Sequence, residues 1–576
     1  MKPAEIRRRV AVDCGHAWPV HLHPILARIF AARGLAPGDV KQMRLADLAV
    51  PSALGGIERA CDLLAAAIAA DQRICVVGDF DADGATGTAT AVRGLRQLGA
   101  RDVCYRVPNR FRDGYGLSAG LVESLADVAP DLILTVDNGI ASHAGVAAAR
   151  ERGIGVVVTD HHLPGDTLPD ADAIVNPNLP GDGFPSKSLA GVGVVFYLLL
   201  ALRAHLRAAG AFAGRAEPDL SVLLDLVALG TVADLVPLDA NNRILVEAGL
   251  KRIRAGRCCA GIAALCKTAG RDMTRAVASD LGYALGPRIN AAGRLDDMSL
   301  GIECLLTDDA ERAGELAERL SAINQERQEL QSTMVEQGEA MVTRFIERYR
   351  DGALPYGIVL SEPDWHPGVV GLVASKLKER LHRPVVACAP VGEGSSEWRG
   401  SARSIAGFHL RDALAEVDAT CPGLIARFGG HAMAAGLSLD EANLPRFAAE
   451  FDAVARRRLD PELLEHHVWS DGELDAVDFT VDTAQALRYA GPWGQAFPEP
   501  AFDNVFEVES WRAVGERHLK MRLRFPDRAE ALDAIMFNAL EVMPPPSRLR
   551  AVYQLDLNEW NGRESLQLLV RHIETI

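Results

Sequence analysis

Residues 73–90 read RICVVGDFDADGATGTAT, and the reading of this stretch decides the fold. The apolar run Ile74-Cys75-Val76-Val77 has the length and branched content of a buried strand. It passes through Gly78 into three alternating carboxylates, Asp79, Asp81 and Asp83, and Gly84 then opens a small-residue segment of helical character. Alternate side chains of an extended segment point the same way. The spacing therefore predicts that the three converge at the carboxyl end of a strand, where open α/β sheets hold their ligands. Carboxylates this close repel one another unless a cation neutralises them or some take up protons. Hard divalent ions such as Mg²⁺ and Mn²⁺ prefer such oxygen ligands. The plainer alternative is an acidic turn that caps a helix.

The same rhythm recurs further along. Residues 131–136 (DLILTV) end in Asp137-Asn138-Gly139, and residues 154–159 (IGVVVT) end in Asp160-His161-His162. Residues 103–107 make another strand, and 56–70 and 89–98 read as helices. Strands and helices alternating in this way predict a parallel sheet with its chemistry at matching strand ends. A helical variant, residues 220–229, runs into Gly230-Thr231-Val232-Ala233-Asp234. Imidazole pooled with carboxylates suits Mn²⁺ better than an all-oxygen Mg²⁺ shell, and the set together predicts a two-metal site. Spacing does not say which side chain binds which ion.

The pieces GDFDADG, TVDNGI, TDHH and GTVADLVPL resemble the four motifs of the DHH phosphoesterase superfamily. GPRINAAGR (286–294), WHPGVVGLVASKLKERLHRPVV (365–386), GSARS (400–404) and FGGHAMAAGLSL (428–439) are similar, in the same order, to the RecJ exonuclease branch. The resemblance implies an α/β fold: a parallel-sheet DHH domain, a long connecting helix, a smaller α/β DHH-associated domain and a C-terminal OB-fold barrel. It also implies two Mn²⁺ or Mg²⁺ ions. Asp81, Asp83, Asp137, His161 and Asp234 become direct ligands, with Asp137 bridging the ions. Asp79 is either a direct ligand or acts through a neighbour. Asp160 orients an imidazole, and His162 is left to contact the scissile phosphate. The DHH-associated domain is implied to face the metal cluster across a cleft and to bind the 5′ end of a strand, a closed end pocket setting polarity and a narrow cleft excluding duplex.

Other residues add candidate substrate contacts. The loop 107–116 holds Arg110, Phe111, Arg112 and Tyr115, cations for phosphate and rings for bases. Arg288 and Arg294 flank an Asn-Ala-Ala-Gly turn, and arginine matches phosphate oxygens in a forked geometry. Ser401, Arg403 and Ser404, with Gly430 and His431 from a glycine pair and its neighbour, suit a terminal phosphate. Residues 308–349 carry apolar side chains at helical spacing without a proline, a connector about 60 Å long if it is one helix. Arg456, Arg457 and Arg458, with the region around Pro461, read as a linker. Five short strands after residue 466 predict a small barrel. Trp511, Phe537 and Trp560 are candidates for base stacking, with the barrel core as the preferred reading. The domains are expected at 1–49 (N-terminal segment), 50–305 (DHH), 306–350 (connector), 351–460 (DHH-associated) and 466–576 (OB).

Bulk properties narrow the functions. The chain has 576 residues, 48% hydrophobic, and a net charge of −16. Its size calls for several domains. Its charge gives no support to non-specific nucleic-acid binding, so a polyanion site needs local basic residues or metal ions. Ten scattered cysteines without a CxxC pair predict reduced thiols and a cytoplasmic location. No signal-peptide core follows Arg7-Arg8-Arg9, and the apolar run 189–202 is too short and glycine-containing for a membrane span. The expected activity is 5′-to-3′ hydrolysis of single-stranded DNA to mononucleotides in repair and recombination, alongside a single-strand-binding protein and a helicase. The alternatives are a DHH phosphodiesterase of short oligonucleotides or cyclic dinucleotides, and a non-catalytic single-strand-binding scaffold.

Overall fold

The computed structural model of the chain describes residues 5–10, 18–20, 22–40, 43–110, 112–348, 354–392, 394–430, 432–465, 467–515, 517–528, 530–539, 542–560 and 563–576. Ile74–Val77 is a strand buried on both faces, as its four apolar residues require. Its neighbours are parallel, and the sheet runs Val103–Arg106, Ile74–Val77, Leu132–Val136, Gly155–Thr159, Ala173–Val175. Strand order reverses between Ile74–Val77 and Leu132–Val136, the switch point at which doubly wound sheets bind ligands. The acidic turn and Asp137 follow these two strands. Helices Ile57–Ala69, Ala82–Leu98 and Gly191–Ala208 cover one face, where Ile74 and Val76 point. Helices Ala119–Ser124 and His143–Glu151 cover the other, against Cys75 and Val77. Gly191–Ala208 is long and apolar enough to cross a membrane by composition, but most of it is buried in this core.

Three local expectations change. The helix after the acidic turn starts at Ala82, two residues before Gly84, where helical character is expected to begin, and runs without a break into 89–98, so the three carboxylates do not lie along one extended segment. Asp79 sits in the loop, Asp81 caps the helix and Asp83 is in its first turn. Packing overrides the weak helix propensity of Gly and Thr here: Gly87 lies against Val136, and Thr86 and Thr88 donate to carbonyls one turn back. Residues 290–293 are not a turn but part of the helix Gly286–Leu295, with Pro287 in its first turn. Arg456–Arg458 are not a linker but the last turn of Leu444–Arg458, where cations suit the helix dipole; Arg456 pairs with Asp452, and Arg457 and Arg458 with Glu416.

Contacts divide the chain into two units, Met1–Ile6 with Gln325–Val468, and Arg7–Asn324 with Trp469–Ile576. The 39-residue helix Ala310–Arg348 carries the chain from one to the other. In the smaller unit, a five-stranded sheet runs Arg427–Gly430, Ala434–Asp440, Glu397–Arg403, Val385–Pro390, Ile358–Ser361. In the larger unit, the C-terminal strands close a barrel in the order Phe502–Val514, His518–Arg524, Ala531–Met536, Arg563–Thr575, Arg548–Trp560, the OB arrangement. Phe502, Phe506 and Tyr553 fill its interior and join a core shared with the helices of the DHH part. Trp511 and Phe537 are therefore not core: they are 45% and 52% exposed, one beyond the bulge at Val508/Ser510 and the other past the end of its strand. The side chain of Trp560 lies outside those described.

One buried carboxylate ties the chain's start to this barrel. Asp503 accepts from Arg8 Nη2 at 2.6 Å, Arg550 Nη2 at 2.6 Å and Ser470 Oγ at 2.5 Å. Burial works against its charge, but the hydrogen bonds from Arg8, Ser470 and Arg550 outweigh it and hold the carboxyl below the usual range. A depressed folded-state pKa contributes stability above the unfolded value near 3.9, which is lost as pH falls through the folded value. Asp503→Ala removes the buried acceptor that Arg8, Arg550 and Ser470 share and should cost about 3 kcal/mol in urea unfolding at pH 7, with the difference from wild type shrinking below about pH 4.

Candidate metal centre

Four segments distant in sequence meet at the switch point. Asp79, Asp81 and Asp137 bring donor atoms within 4.8 Å of one another, as do Asp83, His161 and Asp234, and also Asp137, His161 and His162. Asp137 and His161 each belong to two sets. His161 Nε2 lies 3.0 Å from Asp137 Oδ1, 3.6 Å from Asp234 Oδ2 and 4.0 Å from Asp83 Oδ2.

Each side chain is held by its own local structure. Asp81 is the N-cap of Ala82–Leu98, its Oδ1 accepting from Gly84 N at 2.9 Å. The plainer reading of the acidic turn and the metal reading thus apply to the same residue, with one oxygen engaged in the cap. Asp83 accepts from Gly191 N at 2.6 Å and Val192 N at 2.9 Å, the first amides of the next core helix. Asp137 has φ +62°, a left-handed conformation that aspartate tolerates better than most residues. A Cβ on Gly191 would lie 2.5 Å from that of Asp137, so only glycine admits this approach. Asp234 is the C-cap of Leu224–Ala233.

Asp160 has a different character. It accepts from Ile140 N at 2.9 Å, His161 N at 2.7 Å and His162 Nδ1 at 2.7 Å, so its oxygens are engaged by the protein. Burial opposes its charge, yet the His162 contact prevails and lowers its pKa. Burial likewise opposes the His162 cation, but the Asp160 hydrogen bond and nearby carboxylates push it up to about 9. His161 goes the other way: burial and the neighbouring His162 bring it down to about 4. It stays neutral, with a backbone hydrogen bond to Leu189.

The donor set fits divalent cations. Asp79 Oδ1, Asp137 Oδ1 and His161 Nε2 are buried without a hydrogen-bond partner among the described residues. The 3.0 Å contact between a neutral imidazole nitrogen and a carboxylate oxygen sets lone pair against lone pair. Burial and mutual repulsion raise Asp79, Asp137 and Asp234 well above the usual carboxylate range, and Asp83 up to about 7. A cation among these atoms reverses that cost.

The remaining predicted residues fall in several places. Arg110 lies 3.9 Å over the Phe80 ring and donates to Gly293 O at 3.1 Å. Tyr115 donates to Asp137 O at 3.0 Å and touches the His162 ring. Arg288 donates to Ser321 Oγ and Ala284 O, and Arg294 is half-buried in the last turn of the same helix. In the smaller unit, Arg403 donates to Ser401 Oγ at 3.0 Å. Both lie against Gly371 in the first turn of Val370–Leu381, where the positive end of the helix dipole favours anions. Ser404 does not join them: it is buried and donates to Phe408 O at 2.7 Å. Gly430 ends a strand at φ +138°. Phe111 and His431 lie outside the described residues.

Family models match three segments: the DHH family N-terminal domain over residues 73–231, the DHHA1 domain over 354–457 and the RecJ OB domain over 470–572. The single-stranded-DNA-specific exonuclease RecJ of Dickeya dadantii is 54% identical over 575 residues, 99% of each chain. The chain belongs to the RecJ family. Crystal structures of Thermus thermophilus RecJ fit it over 99% of its length: the Mn²⁺ complex at TM-score 0.79 and 32% identity, covering 80% of that chain, and the Mg²⁺ complex at 0.73 and 31%, covering 79%.

This RecJ-family site also uses asparagines that sequence reading passed over. Asn138 donates to Val77 O and Val136 O, tying the two strands of the switch point. Asn176 and Asn178 donate to the carbonyls of His162 and His161. Their signal was the short run 173–175 ending in Asn-Pro-Asn, the same strand-then-polar rhythm as its neighbours. If repulsion dominates the ion-free cluster, Asp137→Asn should raise stability by about 1 kcal/mol in EDTA while sharply weakening Mn²⁺ binding. Thermal melts with and without Mn²⁺ read both; a destabilised variant that still binds Mn²⁺ as wild type does would contradict the assignment.

Proposed function

We propose that this chain is a divalent-cation-dependent exonuclease that hydrolyses single-stranded DNA from the 5′ end to mononucleotides, in DNA repair and recombination. The observation that carries the reading is the group of buried lone-pair atoms on Asp79, Asp137 and His161 that have no hydrogen-bond partner among the described residues, in a chain 54% identical to a single-stranded-DNA-specific exonuclease over 575 residues.

Asp79, Asp81, Asp83, Asp137, His161 and Asp234 would hold two Mn²⁺ or Mg²⁺ ions, with Asp137 shared between them. When bound, the ions supply positive charge to the phosphate oxygens and lower the pKa of a water molecule. Asp160 keeps the His162 ring in place through the 2.7 Å hydrogen bond. From there His162 donates a hydrogen bond to the scissile phosphate or a proton to the leaving oxygen. Tyr115, packed edge-on against His162, limits the ring's rotation on its other side. Arg110, Arg288 and Arg294 are assigned to the strand's phosphates. Ser401 and Arg403, at a helix N-terminus, are assigned to the 5′-terminal phosphate, which confines attack to a chain end. The reading also puts the enzyme in the cytoplasm with a single-strand-binding protein and a helicase; the nine described cysteines are all free thiols, as a reducing compartment requires.

A labelled 60-mer single strand, the same sequence as duplex, and a dinucleotide, each with Mn²⁺, test the assignment. Mononucleotides released from the single strand alone are expected. Preference for the dinucleotide would point to a small-substrate phosphodiesterase, and binding without cleavage to a scaffold. Arg403→Ala should reduce cleavage of 5′-phosphorylated strands about tenfold or more, the scale of one lost charged hydrogen bond, without changing Mn²⁺ affinity. Loss of Mn²⁺ binding in that variant, measured by calorimetry, would contradict its role.

A further inference from the structure

The helix Gly286–Leu295 reaches the acidic turn across more than two hundred residues of sequence. Asn290 Oδ1 accepts from Ala82 N at 2.8 Å. Ala82 is the first residue of the helix that carries Asp83, and the first four amides of any helix lack intrahelical acceptors. One turn on, Gly293 presses on the loop: a Cβ there would sit 1.8 Å from Phe80 O, so no other residue fits. Arg110 closes the contact, spanning the Phe80 ring and Gly293 O. Phe80 lies between Asp79 and Asp81, and Ala82 between Asp81 and Asp83. The contacts therefore fall on the backbone that alternates with the carboxylates.

We infer that Asn290 is a positioning residue for the metal centre: by taking the Ala82 amide it sets where the acidic helix begins, and so the mutual placement of Asp79, Asp81 and Asp83. The chemistry turns on Asp81. Its Oδ1 already takes the Gly84 amide, leaving the other oxygen to face a cation. With Asn290 in place, the Ala82 amide makes no demand on that oxygen. Without it, a second orphan amide lies beside the carboxylate and competes with the ion, and the helix start is free to shift by a residue. Outer partners of metal ligands typically change affinity by about 10–100-fold.

The inference rests on reading the carboxylate cluster as a cation site, and the test separates the two. Mn²⁺ binding to the full-length chain is followed by the electron-paramagnetic signal of free Mn²⁺. Asn290→Leu keeps the side-chain shape and improves helix propensity but removes the acceptor; Asn290→Asp keeps the acceptor oxygen. The leucine variant is expected to bind Mn²⁺ at least about tenfold more weakly, with wild-type far-UV dichroism and melting in EDTA. The aspartate variant should recover most of that loss. Wild-type affinity in the leucine variant, or equal weakness in both, overturns the role of Asn290 while the cation site stands. A wild-type chain that binds no Mn²⁺ overturns the cation site itself. If the leucine variant does not fold, Asn290→Ala is judged by the same criteria.

Discussion

The structure depends on repulsion held in place. Five carboxylates and a neutral imidazole are gathered at the end of a parallel sheet, close enough for lone pairs to oppose one another. In water such groups would separate. Here they are largely buried, where charge is expensive and repulsion is poorly screened. Protons or a compensating positive charge relieve the repulsion, and bound divalent ions do so while keeping the carboxylates ionised.

What resists the repulsion is mostly backbone. Asp83 is fixed by two amides of a core helix, Asp81 by the helix it caps, and Asp160 by amides on both sides of the sheet end. Asn138 ties together the strands between which the site opens. Close approaches at Gly191 and Gly293 bring backbone within reach of the ligands where any side chain would clash. A cluster held by rigid elements keeps its spacing without the ions, and binding then costs little reorganisation. The two histidines divide their tasks by environment: His161 stays neutral with an open nitrogen, while His162 is bound to Asp160.

Much of this was legible in the sequence, because strands buried on both faces announce themselves as short apolar runs and polar residues mark their ends. Ile74–Val77 matches its reading to the residue, and the barrel's five strands are legible as strand-like runs after residue 466. Helical character from Gly84 is legible, but the start at Ala82 and the unbroken run into residues 89–98 are not, because Gly and Thr are poor helix formers and the packing of Gly87 against Val136 is a tertiary fact. The Asn-Ala-Ala-Gly segment was read as a turn for the same reason: its helix is secured by contacts far away in sequence. Trp511 and Phe537 were expected inside the barrel, but a bulge and a strand end put them outside. Asparagines that bind carbonyls leave no pattern, since their partners are set by the fold alone.

Anomalous scattering from crystals of the full chain soaked in Mn²⁺ is the most direct test of the metal centre. Two peaks about 3.5–4 Å apart are expected, both within bonding distance of Asp137, with His161 Nε2 on one of them. Peaks that avoid Asp137 and His161, or a cluster that stays empty at saturating Mn²⁺, would contradict it.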